Sequence, residues 1–446
     1  MINKTLIKHA ILINEGNQIK TDVLIENERL VKIAPNIKSD SFMKIIYADG
    51  LHLIPGLIDD QVHFREPGMT HKGTIKSESQ AAVAGGITSF IEMPNTLPQT
   101  TTKKALDEKF EIASLDSAAN YSFLFGGTNN NIDEILSVDK NQVAGLKLFL
   151  GSSTGNMLLD NQKILRKIFK SSDLLIAVHC EDEKIIQENL NKHIKIYGEN
   201  IPIEKHPKIR SEEACYASTY RTIQLAKETG ARLHVFHLST AKETELFGNS
   251  LPLHKKKITA EVCTHHLIFD DNDYLKKGSL IKWNPAIKSK SDQKALWKAL
   301  NDDRIDIIAT DHAPHTFSEK NKKYTEAPSG GPMVQHSLLA LLSSVKKGKI
   351  TLENLIQKAC HNPAILFQIK DRGFIREGYF ADFVLIDMKG QSLITKQSLK
   401  YKCRWSPFEG HNFDVKIKMT FVNGQKVYED GKILIPNAGR QLTFNR

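Results

Sequence analysis

The sequence predicts an α/β fold, a (β/α)8 barrel of the TIM type joined to a small β-sandwich. Short apolar runs alternate with helical stretches through the middle of the 446-residue chain. Eight such runs are enough to close a parallel barrel, whose chemistry lies at the carboxyl ends of the strands. Both ends of the chain instead alternate apolar and polar residues between turn signals, which is typical of antiparallel strands.

The two ends of the chain are predicted to form one β-sandwich, with the middle of the chain inserted between them. Residues 1–54 alternate without any cluster of polar side chains. Residues 369–446 show similar runs, separated by turn signals such as Asn423-Gly424. We therefore divide the chain into a first sandwich segment (1–54), a barrel (55–368) and a second sandwich segment (369–446).

The middle of the chain supplies the strands of the barrel. They are short and apolar, and they are predicted at 52–64, 87–94, 120–126, 143–150, 173–180, 231–238, 257–264 and 304–311. Helical stretches such as 74–84 and 212–229 lie between them. An open doubly wound sheet is the alternative. It is disfavoured because no glycine-rich phosphate loop follows the first strand, and Gly85-Gly86 closes a helix.

Composition limits the classes of function. The net charge is +10, but the lysines are scattered and no stripe interleaved with aromatic residues accompanies them, so we expect no nucleic-acid partner. No apolar run approaches the ~20 residues that span a bilayer, and the amino terminus has no export signal. We therefore expect no membrane contact and a cytoplasmic location. Five widely spaced cysteines without a CxxC pair predict reduced thiols.

Polar side chains collect where the predicted strands end. They are metal-ligating or anion-binding types: His63, Arg65, Asn95, Lys147, His179, His237, Asp311, His312 and His315. A single buried histidine is more often a hydrogen-bonded core residue. Convergence at one barrel mouth favours a metal site, and imidazole with carboxylate suits zinc. Strand alternation places Gln61, His63 and Arg65 on one face.

Lys147 interrupts an apolar strand, where an unpaired ammonium group is costly to bury. One interpretation is a lysine whose stem is buried while its amine reaches solvent at the strand end. The other is an amine of lowered pKa that has captured carbon dioxide. The product is an anionic carbamate that can bridge two cations.

These residues stand in motifs that resemble those of the dihydroorotases, cyclic amidohydrolases of the amidohydrolase superfamily. The motifs are Ile54-Pro55-Gly56-Leu57-Ile58-Asp59, Val62-His63-Phe64-Arg65-Glu66-Pro67-Gly68, Met93-Pro94-Asn95-Thr96, Gly145-Leu146-Lys147-Leu148-Phe149, Val178-His179-Cys180-Glu181, Phe236-His237-Leu238-Ser239 and Ala309-Thr310-Asp311-His312-Ala313-Pro314-His315. The resemblance covers nearly the whole chain. Single motifs are shared with hydantoinases and allantoinases, whereas the His63 and Asp311 strings together are typical of dihydroorotases.

The resemblance implies the chemistry of the site. The implied ligands of one or two zinc ions are His63, carbamylated Lys147, His179, His237 and Asp311. The implied reaction is the reversible hydrolysis of dihydroorotate to N-carbamoyl-aspartate in pyrimidine biosynthesis. Asp311 would move the proton between hydroxide and ring nitrogen. The implied substrate contacts are Arg65, Asn95, Asn284, His315, Ser329 and Gly330.

Gln61 departs from the resemblance, because the family pattern has histidine at this position. An amide oxygen is a poorer zinc ligand than imidazole. The ion shared by His63, Lys147 and Asp311 should therefore be held less tightly or be absent. Gln61 can still coordinate through its oxygen or hydrogen-bond the attacking water.

Three functions remain open at this point: a dihydroorotase, another cyclic-amide hydrolase of the hydantoinase or allantoinase type, and a non-catalytic partner of aspartate carbamoyltransferase. Arg65, Asn95 and His315 suit a ring that bears a carboxylate better than an uncharged hydantoin. Lys147, His179, His237 and Asp311 are all present, which favours an active enzyme. A homo-oligomer and association with aspartate carbamoyltransferase are both compatible with the sequence.

Two segments near the predicted site have no assigned catalytic role. The neighbouring His265 and His266 are expected to lie on a strand, where their side chains would point opposite ways and serve packing. Residues 151–155 follow a strand and are rich in small hydroxyl side chains. They are compatible with a loop that closes on substrate and equally with an ordinary turn.

Overall fold

The computed structural model describes residues 3–151 and 157–446 of the chain. The loop at 151–155 that the sequence suggested as a closing element therefore falls almost wholly outside the described residues. The chain begins with strands of a terminal sheet: β1 (Lys4–Asn14), β2 (Asn17–Glu26), β3 (Arg29–Ala34), β4 (Met43–Tyr47) and β5 (His52–Pro55).

The barrel follows, and in the described residues it consists of eight parallel strands paired in chain order. They are β6 (Leu57–Val62), β7 (Ile87–Glu92), β8 (Asn120–Gly126), β9 (Gly145–Phe149), β10 (Ile176–His179), β11 (Leu233–Val235), β12 (Ile258–Cys263) and β13 (Ile307–Ala309). The predicted parallel barrel is confirmed. The open doubly wound alternative is wrong, because the last strand returns to the first.

The seam between first and last strands lies beside the polar cluster. The backbone N–H of His63 donates to the carbonyl oxygen of His312 at 2.7 Å, and Val62 forms a parallel bridge with His312. Closing a parallel sheet in this way brings the carboxyl ends of all strands to one mouth. The side chains that follow the strands therefore face a common space.

The predicted strand 52–64 is two strands, which corrects the expectation from sequence. β5 pairs with β1 in the terminal sheet, and β6 opens the barrel. The chain changes sheet at Gly56, where an added Cβ would lie 2.0 Å from Oγ1 of Thr88. Only glycine allows this approach. Both halves are apolar, so the hydrophobic pattern carried no sign of the break.

The carboxyl-terminal strands complete the terminal sheet. They are β14 (Phe383–Asp387), β15 (Ser392–Leu393), β16 (Asn412–Phe413), β17 (Lys416–Val422), β18 (Gln425–Glu429) and β19 (Lys432–Ile433). β14 pairs antiparallel with β5, so the two ends of the chain form one sheet of nine strands within the described residues. β15 and β16 pair separately.

A bulge in β1 lets this sheet enclose its own core. The register between β1 and β2 shifts between Ile7 and Ala10, and His9 between them has φ of 63°. β1 pairs with β4 before this point and with β5 after it. A bulge bends its strand, so the strands on either side can pack around one apolar cluster. The expected sandwich of both termini is thus confirmed, and its boundaries at 54/55 and 368/369 stay a prediction.

Helices connect the barrel strands and cover their outer face. They are α1 (Ile75–Ala84), α2 (Lys103–Asp116), α3 (Ile132–Ser137), α4 (Gln162–Ser171), α5 (Glu183–Tyr197), α6 (His206–Ile209), α7 (Glu212–Thr229), α8 (Ala241–Thr244), α9 (Thr264–Ile268), α10 (Tyr274–Lys277), α11 (Lys290–Asn301), α12 (Phe317–Lys320), α13 (Ser337–Lys346), α14 (Leu352–Ile356) and α15 (Asn362–Leu366). α7 shows how their ends are set. Ser211 caps it by accepting from the N–H of Ala214, and Gly230 ends it at φ of 75°.

Two expectations from composition can be compared with the structure. All five cysteines are buried and unpaired, as expected for reduced thiols. Among the described residues, no helix combines the length and the apolar character that crossing a membrane would need.

Candidate active site

One cavity at the mouth of the barrel contains the predicted site residues. It encloses about 180 Å³. Its walls include the twelve residues with a predicted role: Gln61, His63, Arg65, Asn95, Lys147, His179, His237, Asn284, Asp311, His315, Ser329 and Gly330. Side chains far apart in sequence therefore meet at one place, as expected for a barrel enzyme. His312, which is also predicted at a strand end, does not line the cavity and bonds to Glu78 through Nε2 at 2.9 Å.

Three of these residues have backbone angles that aim their side chains into the cavity. Arg65, His237 and Asp311 have φ of 72°, 41° and 44°, in a region that non-glycine residues rarely adopt. Each follows the end of a barrel strand. Strain of this kind collects at functional sites, where surrounding structure holds it. Arg65 thus reaches the cavity through a turn, and the expectation that strand alternation places it there is wrong because β6 ends at Val62.

His63 is held between Asn95 and Asp311. Its Nδ1 lies 2.8 Å from Oδ1 of Asn95, and its Nε2 lies 3.2 Å from Oδ1 of Asp311. The amide oxygen only accepts, so the proton sits on Nδ1 and Nε2 offers a lone pair. Burial lowers the pKa of His63, which favours the neutral ring despite Asp311. A lone pair thus faces a carboxylate, an arrangement that a cation between them would stabilise.

His179 and His237 form a second pair of donors. Nδ1 of His179 lies 3.0 Å from Nε2 of His237, and the other nitrogen of His179 donates to Glu181 at 2.9 Å. Glu181 in turn is paired with Arg210, and despite its burial the guanidinium and His179 lower the pKa of Glu181 to about 2. A carboxylate fixed in this way orients the imidazole and leaves its inner nitrogen free for a metal.

Sequence reasoning missed this supporting pair. Glu181 is two residues after His179, and side chains two apart on a strand point the same way, so the sequence could have indicated that Glu181 lies beside His179. Arg210 comes from the segment between α6 and α7, where nothing in the sequence points to the barrel mouth.

Lys147 lies on β9, between Leu146 and Leu148, which pack outward. The residue is 1% exposed, and its amine has no hydrogen-bond partner among the described residues. Burial lowers the pKa of Lys147 to about 7. The interpretation of an amine that reaches solvent is therefore wrong, and an amine that is neutral in about half of the molecules at pH 7 faces the cavity.

These observations fit a divalent metal. The imidazoles of His179 and His237 lie 3.0 Å apart, and the imidazole of His63 lies 3.2 Å from the carboxylate of Asp311. Nδ1 of His237 is buried without a partner in the described part of the chain. Nitrogen and carboxylate donors of this kind suit zinc. A carbamate on Lys147 would add the missing negative charge beside them.

Arg65 and His315 line the same cavity and lie close to a further cation, Lys72. Nε of Arg65 donates to the carbonyl oxygen of Pro314 at 3.0 Å, and its Nη2 lies 3.1 Å from Nε2 of His315. Nδ1 of His315 lies 3.2 Å from Nζ of Lys72. Burial and these two cations hold the pKa of His315 well below its usual range, so the ring stays neutral. A neutral ring has one donor and one acceptor, so Nε2–H donates to the carbonyl oxygen of Ser329 and Nδ1 accepts from Lys72.

No carboxylate among the described residues forms an ion pair with Arg65, although its side chain is buried. Burial lowers the pKa of Arg65 to about 10, which leaves the guanidinium charged at neutral pH. An unpaired buried cation is costly, and an anionic ligand would compensate it.

Asn284, Ser329 and Gly330 form the remaining edge. Oδ1 of Asn284 has no partner among the described residues, and the carbonyl oxygen of Ser329 lies 3.1 Å from Nε2 of His315. Gly330 has φ of 121°, and an added Cβ would lie 2.5 Å from the carbonyl oxygen of Ala313. Glycine therefore keeps this backbone close to the cavity.

Gln61 is buried at the base of the cavity, where its Oε1 accepts from the thiol of Cys263 at 3.5 Å. His265 and His266 lie nearby on α9, with ring centroids 4.2 Å apart. The expectation that they point opposite ways on a strand is wrong, because β12 ends at Cys263 and the chain turns into a helix.

Comparison with known proteins agrees with this geometry. Residues 52–427 match the model of the amidohydrolase family. The chain belongs to the amidohydrolase family. It is 36% identical to a dihydroorotase of Lactococcus lactis, over 92% of this chain and 95% of that protein. It is 33% identical to a dihydroorotase of Halobacterium salinarum, over 94% and 96%. An L-hydantoinase structure from Arthrobacter aurescens covers 99% of the chain with TM-score 0.92 and 27% identity.

Membership makes the chain a hydrolase of the cyclic amidohydrolase type, acting on a small molecule. Amidohydrolases are generally metal-dependent, which agrees with the donors in the cavity. Sequence relatives and structural relatives carry different substrate names, so the substrate has to be argued from the cavity itself.

Proposed function

We propose that this amidohydrolase is a dihydroorotase, which hydrolyses the ring amide of dihydroorotate to N-carbamoyl-aspartate and catalyses the reverse ring closure. The observation that carries the proposal is the buried guanidinium of Arg65, which lines the same cavity as the metal donors and forms no ion pair with a carboxylate of the described residues. Dihydroorotate bears a carboxylate that a planar guanidinium can bind with two hydrogen bonds. An uncharged hydantoin offers Arg65 no anionic partner.

We propose that Lys147, as a carbamate, holds zinc together with His63, His179, His237 and Asp311. Zinc at this site supplies hydroxide at neutral pH and polarises the carbonyl under attack. The carbamate forms when the neutral amine attacks carbon dioxide and releases one proton. Gln61 replaces an imidazole in this set, so we propose one firmly held ion and a weaker second one.

The chain's own groups then position and move protons. Asp311 accepts a proton from the attacking water and returns it to the leaving ring nitrogen, because its carboxylate faces the cavity beside His63. Arg65 and His315, with Asn95, orient the substrate carboxylate. The backbone at Ser329 and Gly330, with the amide of Asn284, contacts the ring. Glu181 and Arg210 keep His179 in place.

The proposal extends to the pathway, the cellular location and the domain boundaries of the enzyme. We propose pyrimidine biosynthesis in the cytoplasm as its role, with the barrel at residues 55–368 and the sandwich from 1–54 and 369–446. A homo-oligomer or a complex with aspartate carbamoyltransferase remains compatible with it.

The proposal predicts a substrate order and its dependence on Arg65. Wild-type chain, loaded with zinc, should hydrolyse dihydroorotate in preference to hydantoin and allantoin. Arg65→Ala should raise KM for dihydroorotate by about 10- to 100-fold, since charge-assisted hydrogen bonds contribute ~1.5–3 kcal/mol. Steady-state kinetics with the three substrates measure both effects.

Arg65→Lys serves as the matched control, because it keeps the charge and loses the planar fork. It should fall between wild type and Arg65→Ala for dihydroorotate. Equal KM values for all three proteins would show that Arg65 does not bind the substrate carboxylate. Faster turnover of hydantoin or allantoin than of dihydroorotate would favour the second class of cyclic-amide hydrolase.

A second prediction concerns Gln61. Gln61→His should add about one bound zinc ion per chain at the catalytic set, and increase the hydrolysis rate, because imidazole replaces an amide oxygen. Metal analysis of dialysed protein and parallel kinetics measure these changes. Unchanged occupancy and unchanged rate would mean that the site has been rebuilt around glutamine.

A further inference from the structure

A second group of metal-ligating side chains lies beside the candidate active site. It consists of Cys263, His265 and His266, and we call it the Cys263 cluster. One ligand atom from each lies within 4.8 Å of the other two, and all three side chains are buried. None of them has a role in the proposed hydrolysis.

The imidazoles of this cluster lack the hydrogen bonds that buried rings normally make. Neither ring nitrogen of His265 has a partner among the described residues, although the backbone of Thr310 comes near it. Nδ1 of His266 is also without a partner in the described residues, while its Nε2 lies 3.1 Å from the carbonyl oxygen of Pro285. Unsatisfied buried polar groups are rare and need an explanation.

A neighbouring group differs because its imidazole lies beside two carboxylates. His234 lies 3.4 Å from Asp60 and 3.3 Å from Glu261, all fully buried. Burial opposes protonation there, but the two carboxylates raise the pKa of His234 to about 9, so a charged ring pairs with them. The Cys263 cluster has no such compensation, since burial holds its imidazoles neutral.

We propose that the Cys263 cluster binds one zinc-like ion of its own, separate from the Lys147 site. Thiolate and imidazole are the ligand types that zinc takes in structural sites. Binding would release the thiol proton of Cys263 to solvent. The free lone pairs of His265 and His266 would then find their partner in the ion.

Gln61 is placed to complete this site. Zinc–sulfur and zinc–oxygen distances of ~2.3 and ~2.1 Å at a tetrahedral angle separate the two ligand atoms by about 3.6 Å. Sγ of Cys263 and Oε1 of Gln61 lie 3.5 Å apart. The amide that replaces the family's histidine is thus positioned as a fourth ligand to the ion at Cys263.

The ion would stiffen one wall of the active site. The ring of His265 stacks on Trp283 at 4.4 Å and 14°, and the indole N–H of Trp283 donates to the carbonyl oxygen of Asp311 at 3.2 Å. His266 contacts the backbone directly after Asn284. Fixing the two imidazoles therefore fixes the segment that carries Asn284 and supports Asp311.

Cobalt substitution tests the proposal without any assay of activity. A thiolate bound to Co²⁺ gives intense near-ultraviolet charge-transfer absorption, which imidazole and carboxylate ligands do not give. Apo protein of the full chain, titrated with Co²⁺, should develop this band with one equivalent per chain. Its absence in the wild-type protein would overturn the proposal, whatever the variants do.

Variants then assign the sulfur and the site. Cys263→Ser should lose the band and one metal equivalent, whereas Cys403→Ala, a buried thiol outside the cluster, should keep both. Lys147→Ala should keep the band, because it removes only the ions of the catalytic site. Loss of the band in Lys147→Ala would place Cys263 on a catalytic ion and refute a separate site. That result would leave the dihydroorotase proposal untouched.

Discussion

Lys147→Ala is expected to lower kcat/KM for dihydroorotate by about 10³-fold, which corresponds to ~4 kcal/mol of transition-state stabilisation. The amine is buried on the cavity wall, and its removal deletes the carbamate that would join the zinc ligands. Bound zinc should fall with the activity. Kinetics and metal analysis on the same preparation measure the two losses together.

A rescue experiment separates a carbamate from a lysine that only fills space. Alanine leaves a hole in which a short carboxylic acid can supply the missing carboxylate, so propionate should restore part of the activity. Lys147→Met fills the same hole with an apolar chain and is the matched control, because it should stay inactive with propionate. Full activity of Lys147→Ala without added propionate would contradict the proposed mechanism.

The lowered pKa of Lys147 adds a pH dependence to loading. Carbon dioxide reacts with the neutral amine, and with a pKa of about 7 the neutral fraction grows as pH rises through that value. Metal-free protein given zinc and equilibrated with gas at one fixed pressure of carbon dioxide should therefore activate faster at pH 8 than at pH 6, and the rate should level off above pH 8. A lysine with an ordinary pKa would instead keep gaining about tenfold in rate per pH unit up to about pH 10.

Asp311→Asn is expected to lower kcat by about 10²- to 10⁴-fold, the usual contribution of a general base. The amide keeps the shape of the carboxylate and its place beside His63, but it cannot accept the proton of the attacking water. The ion held by His179 and His237 should remain, since neither contacts Asp311 directly. Rates and zinc content together distinguish lost proton transfer from lost metal.

Asp306→Asn is the control for this variant, because Asp306 is a buried carboxylate at the other end of the same barrel strand, bonded to Lys256 at 2.7 Å. It should lose stability and keep activity. Similar kinetic losses in both variants would mean that any buried charge change in β13 disturbs the barrel, and Asp311 would lose its assigned role.

Much of this architecture could be predicted from sequence because barrel strands have a recognisable residue pattern. Each is an apolar run with a polar residue after it, and closure of the barrel alone brings those residues together. The cavity residues that follow strand ends, such as His63, His179 and Asp311, were therefore predictable without knowing any distance, whereas Asn284, Ser329 and Gly330 were implied only by the family resemblance. The break at Gly56 was not, since it depends on how closely the chain passes Thr88.

Other features depend on backbone turns that local patterns do not encode. Alternation implied that His265 and His266 diverge, but the strand ends one residue before α9 and their rings come together. Arg65 reaches the cavity by a left-handed turn. Arg210 acts on His179 through Glu181, two contacts away, from a segment with no barrel signature. In each case the position of the side chain depends on contacts between distant parts of the chain.

The seam between His63 and His312 also bears on how this protein acquires activity during folding. The two flanks of the candidate site come from opposite ends of the barrel's chain, and one backbone hydrogen bond of 2.7 Å joins them. Contacts of such long sequence separation form late, because loop closure must precede them. In a refolding experiment, helical circular dichroism should therefore return before hydrolysis does, and the delay would report the closing of the barrel.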